Sequence, residues 1–218
     1  MFHDISIRLD GGVPEWPGDT PYSCRWTWQI ASGASVNVSS LTMSPHCGTH
    51  ADAPLHVRDG AIAADALPLD PFIGPALVLT APPGSEITME MIVAVLPRHV
   101  ERLLLRTGDT VASGSFPDGW PALTGDCARA LVERGLRLLG VDSPSVDSRH
   151  SVTLDVHHAL FDGGSFIIEN LDLRNVADGA YELIAPPQRL AALDAAPVRA
   201  VLRSNAASST GAGAKGRR

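Results

Sequence analysis

The sequence predicts an α/β domain built on a mixed sheet, and three observations carry that expectation. Between residues 75 and 170, short apolar runs of strand type alternate with segments that open on a capping threonine and carry helical spacing. The first quarter reads as strands and turns without a helix, which does not fit a simple doubly wound parallel sheet. At 218 residues the chain suits one domain with a sizeable core.

Taken in order, residues 4–9 alternate as a strand does and are broken by Gly11, Gly12 and Pro14. Trp16-Pro17-Gly18-Asp19 predicts a turn, because proline presets its own φ and glycine accepts a positive one. Residues 22–30 and 35–43, rich in aromatic, β-branched and small polar side chains, predict paired strands leading into a polar stretch over 44–56. An irregular connection over 60–71 precedes a buried strand at 75–80. Thr88 is placed to cap a helix over 89–96, closed by Pro97. A strand follows at 102–107, then a helix capped by Thr124 and stopped by Gly135, then a strand at 136–141. Residues 142–147 form a polar loop to which the sequence assigns no role. Thr153 is placed to cap a short helix over 156–161, and 165–170 is an apolar strand carrying one carboxylate, Glu169. Residues 180–185 and 198–203 are closing strands of a domain spanning 1–203. The Ser/Ala/Gly-rich remainder, 204–218, is expected to be disordered.

Seventeen basic against 24 acidic residues give a net charge of −7, with no basic stripe over the body of the chain, which argues against a nucleic-acid partner. No apolar run approaches the roughly 18 residues that span a bilayer, and no charged-then-apolar leader opens the sequence, so no membrane partner and a cytoplasmic location are expected. Cys24, Cys47 and Cys127 lack paired spacing and fit reduced thiols.

The chemistry concentrates in the stretch from Ser44 to His56. In an extended chain His46, His50, Asp52 and His56 share a face, whereas a helix would pair only His46 with His50. Pro45, Gly48 and Pro54 also oppose a helix. Four such groups on one face repel one another, or stay poorly satisfied, unless a cation joins them; this outweighs the plainer reading of a polar loop. Neutral imidazole and carboxylate suit zinc or a similar divalent ion, and an open coordination position leaves room for an activated water. Cys47 is turned to the other face. His157 and His158 are adjacent, about 100° apart on a helix, so one can face a metal while the other packs elsewhere; the spacing alone leaves the choice open.

The run His46-Cys-Gly-Thr-His50-Ala-Asp52-Ala-Pro-Leu-His56 resembles the H-x-G-T-H-x-D-x-P-x-H signature of the metal-dependent cyclase-like hydrolases. Further blocks make the chain similar to the bacterial kynurenine formamidases from Asp4 to about Arg203: Trp16-Pro-Gly-Asp19, Gly140-Val-Asp-Ser-Pro-Ser-Val-Asp147, His157-His158 with Glu169, Tyr181-Glu-Leu-Ile184 and Pro197-Val-Arg-Ala-Val-Leu-Arg203. The resemblance implies a swivelling β/β/α domain and a binuclear site. His46, His50 and Asp52 would hold one Zn2+, and Asp52 would be shared with a second held by His157 and Glu169; Mn2+ or another divalent ion is also compatible. It further implies His56 as the acid/base group, Trp16 against the substrate, hydrolysis of N-formyl-L-kynurenine to L-kynurenine and formate in tryptophan breakdown, and a homodimer. No Gly-x-Ser-x-Gly elbow is present for a serine route. The rival expectations are a relative acting on another small amide, lactam or aromatic substrate, such as an isatin hydrolase, and a non-catalytic metal-binding module.

Overall fold

A computed structural model describes residues 1–204. Along it run β1 (Phe2–Asp4), the strands β2 (Ser23–Trp28) and β3 (Val38–Thr42), then β4 (His50–Asp52) and β5 (Ile73–Thr80). Next come β6 (Glu86–Ile87), α1 (Met89–Ile92), β7 (Arg102–Arg106), β8 (Ala122–Leu123), α2 (Gly125–Glu133) and β9 (Leu138–Val141). The chain then gives α3 (Asp155–Asp162), β10 (Phe166–Glu169), β11 (Gly179–Ile184), β12 (Ala195–Pro197) and β13 (Val201–Ser204). Nine strands form one mixed sheet in the order β1-β13-β11-β5-β7-β9-β10-β4-β12. The central run from β5 to β10 is parallel and the flanking pairs are antiparallel.

The parallel centre follows from its connections. Parallel neighbours need a crossover, and α1, α2 and α3 lie between successive members of the series β5, β7, β9 and β10. Sheets covered on both faces carry continuous apolar runs, and β7 reads Leu103-Leu104-Leu105, all fully buried. Alternation sends Leu103, Leu105, Leu139 and Ile167 to the core under the helices, with Leu131 and Leu160. Leu104, Leu138, Phe166 and Ile168 go to the opposite core, with Phe72, Leu183 and Leu202. Each such leucine contributes about 1.5–3 kcal/mol.

Most expected elements form, with shifts that have local causes. The opening strand is Phe2–Asp4, followed by a single bridge from Ser6 to Leu171, rather than 4–9. Thr124 caps α2 as expected, its hydroxyl accepting from Cys127 N at 3.1 Å. The helix after Thr88 lasts only Met89–Ile92, and no side-chain bond caps it. Thr153 does not cap α3 either. Leu154 occupies that position in a left-handed conformation (φ 49°), and the first-turn amides of Val156 and His157 donate instead to Asp147, at 3.0 and 3.1 Å. Strand β12, only three residues long, was too short to announce itself by periodicity. Ser204 belongs to β13, and the rest of the expected disordered tail, 205–218, lies outside the described residues. Among the described residues no helix is long and apolar enough to cross a membrane.

Candidate active site

Strand β4 carries the centre. It lies between β10 and β12, with Glu169 directly opposite His50 on one side and Pro197 on the other. Directly opposed antiparallel residues share a face, so His50 and Glu169 emerge together while Ala51 turns into the core. The chain is extended only over His50–Asp52. His46 arrives by a turn four residues beyond the end of β3, not at a strand end, and His56 closes a 3-10 turn, Pro54–His56. That entry turn depends on Gly48, at φ 71°, where a Cβ would sit 2.5 Å from Leu9 Cδ2.

The donors converge in two sets. His46 Nδ1 lies 3.1 Å from His50 Nε2 and 3.2 Å from Asp52 Oδ1, and His50 Nε2 lies 3.3 Å from the same oxygen. A tetrahedral ion with bonds of about 2.0 Å separates its ligands by about 3.3 Å. The other oxygen of Asp52 is 3.4 Å from His157 Nε2, which is 3.5 Å from Glu169 Oε1.

The far nitrogens of the three rings fix where the lone pairs point. His50 Nδ1 donates to Gly48 O at 2.9 Å, His157 Nδ1 to Asp147 Oδ2 at 2.6 Å and His46 Nε2 to Asp194 Oδ2 at 2.9 Å. Carbonyl and carboxylate oxygens only accept, so the inward nitrogens carry lone pairs. Those of His46 and His50 face Asp52 Oδ1, which is buried without a hydrogen-bond partner, and that of His157 faces Oδ2. Lone pairs converging on a buried anionic oxygen call for a cation, and the donor types and spacing fit a divalent metal.

Protons are the competing cations. Burial opposes a charge on each ring, but the carboxylates outweigh it. Asp194 and Asp52 push His46 up to about 9; Asp52 and Glu169 push His50 up to about 10; Asp147, Asp52 and Glu169 push His157 up to about 10. Burial likewise opposes ionisation of Asp52, yet His50, His157 and His46 hold it well below the usual carboxylate range.

The structure brings His46, His50, Asp52, His157 and Glu169 together, and it turns His157, not the half-buried His158, into the cluster. His56 stands beside them, its ring centroid 4.4 Å from that of His46 and 5.7 Å from that of His157. Above the donors opens a cavity of about 270 Å³, lined also by Trp16, Phe116, Arg149 and Asn170. Trp16 sits on the expected turn, closed by a 2.9 Å bond from Asp19 N to Trp16 O with Gly18 at φ 93°. Its ring meets Phe116 edge-on at 5.4 Å, and the Arg149 guanidinium lies 5.3 Å from the Phe116 centroid.

Sequence reasoning missed Asp147, Asp194, Phe116 and Arg149. Residues 142–147 looked like turn chemistry, yet their backbone also meets the site, Val146 N donating to Glu169 Oε1 at 2.8 Å.

The mixed sheet is that of a known class. Residues 3–148 match the Cyclase family model, described as "Putative cyclase". Among solved structures, a predicted metal-dependent hydrolase from Bacillus stearothermophilus superposes with a TM-score of 0.79 at 27% identity, covering 93% of this chain and 97% of the other. Isatin hydrolase A from Labrenzia aggregata gives 0.76 at 24% identity, with 93% of each chain covered, and shares the fold. Closer in sequence is the kynurenine formamidase of Bordetella avium, 44% identical over 208 residues, with 92% of this chain and 96% of that protein covered. The kynurenine formamidase of Bacillus thuringiensis is 44% identical over 200 residues with the same coverage. The chain belongs to the kynurenine formamidase family.

Proposed function

We propose that this protein hydrolyses N-formyl-L-kynurenine to L-kynurenine and formate, a step of tryptophan breakdown. The observation that carries the reading is the Asp52 carboxylate, with one oxygen against His46 and His50 and the other against His157 beside Glu169. In this reading His46, His50 and Asp52 hold one Zn2+, and Asp52, His157 and Glu169 hold a second. Ions bound there supply Lewis-acid polarisation of a carbonyl and a water of lowered pKa. The protein groups do the rest. Trp16 and Phe116 offer flat apolar faces to the aryl ring, and Arg149 offers a cation to the amino-acid end. His56 takes a proton from the attacking water and returns one to the aryl amine as the C–N bond breaks.

The isatin hydrolase alternative draws on a 24% identical neighbour, against 44% for the formamidases. A homodimer is supported by the hairpin of β2 and β3, which exposes Trp26, Trp28, Ile30 and Leu41 at 57–64%. A cytoplasmic location fits three cysteines that are all free.

The test is turnover of N-formyl-L-kynurenine, followed by absorbance, before chelation, after it and after zinc is restored. Hydrolysis lost with the metal and regained with zinc supports the reading. A zinc-loaded protein that leaves this substrate intact refutes it.

A further inference from the structure

We infer that Asp194 is a positioning residue that sets two histidines at once, one in the metal-donor set and one beside it. The inference rests on the proposed function for the role of His56. Asp194 immediately precedes β12, and its carbonyl accepts from Ala53 N at 2.8 Å, which anchors it one residue from Asp52 across the strand pair. A single oxygen, Oδ2, accepts from His46 Nε2 at 2.9 Å and from His56 Nδ1 at 3.3 Å. A carboxylate oxygen that accepts both bonds requires an N–H on each ring, and so fixes both tautomers. His46 is left with its Nδ1 lone pair facing His50 and Asp52. His56 is left with Nε2 as its only basic nitrogen.

The near contact of the two rings, 4.4 Å between centroids, has the same origin, since one oxygen serves both. Carboxylates behind metal-ligating histidines tune the ligand, and removing them typically costs 10–100-fold in metal affinity or activity. Here the same carboxylate reaches a group outside the donor set. Its removal therefore perturbs metal binding and proton transfer together, by separable routes.

The test uses the full chain with Asp194→Ala, Asp194→Asn, His56→Ala and the Asp194→Ala/His56→Ala double variant. Three readings are taken: kcat and KM with saturating zinc, zinc competition against a chromophoric chelator starting from metal-free protein, and the imidazole 15N pattern of His56 in the zinc-loaded state. Asp194→Ala is expected to lower kcat about 10–100-fold with KM within about threefold, and to weaken zinc about 10–100-fold. Asp194→Asn, which keeps one accepting oxygen, should fall between wild type and Asp194→Ala. In the His56→Ala background, Asp194→Ala should cost less than about a further threefold in kcat. The His56 signal should pass from a single Nδ1–H tautomer to a mixture.

Fully multiplicative kcat losses, or an unchanged His56 tautomer, would overturn the inference. So would loss of a whole zinc equivalent at saturation, which would make Asp194 a ligand. Failure of the wild-type protein to act on N-formyl-L-kynurenine would instead sink the functional reading, while the zinc and 15N readings would still decide the role of Asp194.

Discussion

Replacing Asp147 by alanine should weaken the fold and the metal site through one side chain. The carboxylate, 4% exposed, accepts from Val156 N at 3.0 Å, from His157 N at 3.1 Å and from His157 Nδ1 at 2.6 Å. Although burial opposes its ionisation, His157 and the α3 amides hold its carboxyl below the usual range. Loss of the helix cap costs about 1 kcal/mol. A ring N–H left buried without an acceptor costs about 1–3 kcal/mol more. The sum, about 2–4 kcal/mol, corresponds to a fall of roughly 5–15 °C in Tm for a domain of this size. Calorimetry of the metal-free protein reads that loss without a contribution from bound ions. Chelator competition should show the ion at His157 held about 10–100-fold more weakly, because the ring is no longer fixed in the tautomer that presents Nε2. An alanine variant with wild-type Tm and zinc affinity would refute the reasoning. A variant that lost stability but kept zinc affinity would reduce Asp147 to a helix cap.

Four further outcomes follow from the site and the surface. His56→Ala should depress turnover about 10²–10⁴-fold with zinc content unchanged by metal analysis, and lost metal would make His56 a ligand. Trp16→Ala should raise KM for N-formyl-L-kynurenine more than it lowers kcat, in steady-state kinetics, since its ring faces the cavity rather than the donors. His46, His50 and His157 are pushed up to about 9–10, so the stability they give the metal-free protein is fully present below pH 6.5 and lost as pH rises to about 10. Thermal melts should show that loss, and zinc uptake at pH 7 should release protons and strengthen with pH. In light scattering the wild type should run as the proposed dimer and a Trp28→Glu and Leu41→Glu double variant as a monomer.

What could be read from the residues divides by distance along the chain. His46, His50 and Asp52 were legible because six residues of local spacing bring their donors within 3.3 Å. His157 and Glu169 stand more than a hundred residues away, and only the family resemblance tied them to Asp52. The strands β7, β9 and β10 were legible because burial on both faces writes a continuous apolar run, and β5 because its apolar run has one face buried and the other half-buried. The carboxylates behind the histidines were not. Asp147 sits in a segment whose composition is that of any polar turn, and Asp194 sits in an alanine-rich stretch whose strand is three residues long. A group that accepts from a ring N–H carries no spacing rule, since the partner can come from anywhere in the sheet. The cap of α3 failed to show for the same reason: Thr153 was the nearest hydroxyl, but a carboxylate from the preceding loop took the amides.

The place of β4 has a consequence for how the molecule is made. Both its neighbours come from far downstream: β10 begins at residue 166 and β12 at residue 195, and β1 waits for β13 at the far edge. On a ribosome the first quarter of the chain, with His46, His50 and Asp52, therefore emerges with no sheet to join. Contacts of such high sequence separation fold slowly, and loop closure precedes any gain from pairing. The parallel unit β5-β7-β9, local in sequence, can assemble while synthesis continues; the histidine-rich strand can only be inserted afterwards, as one of the last pieces of the sheet. Completion of the metal-binding cluster is then a late event of folding, and a nascent chain halted before residue 195 should bind zinc no better than an unfolded one.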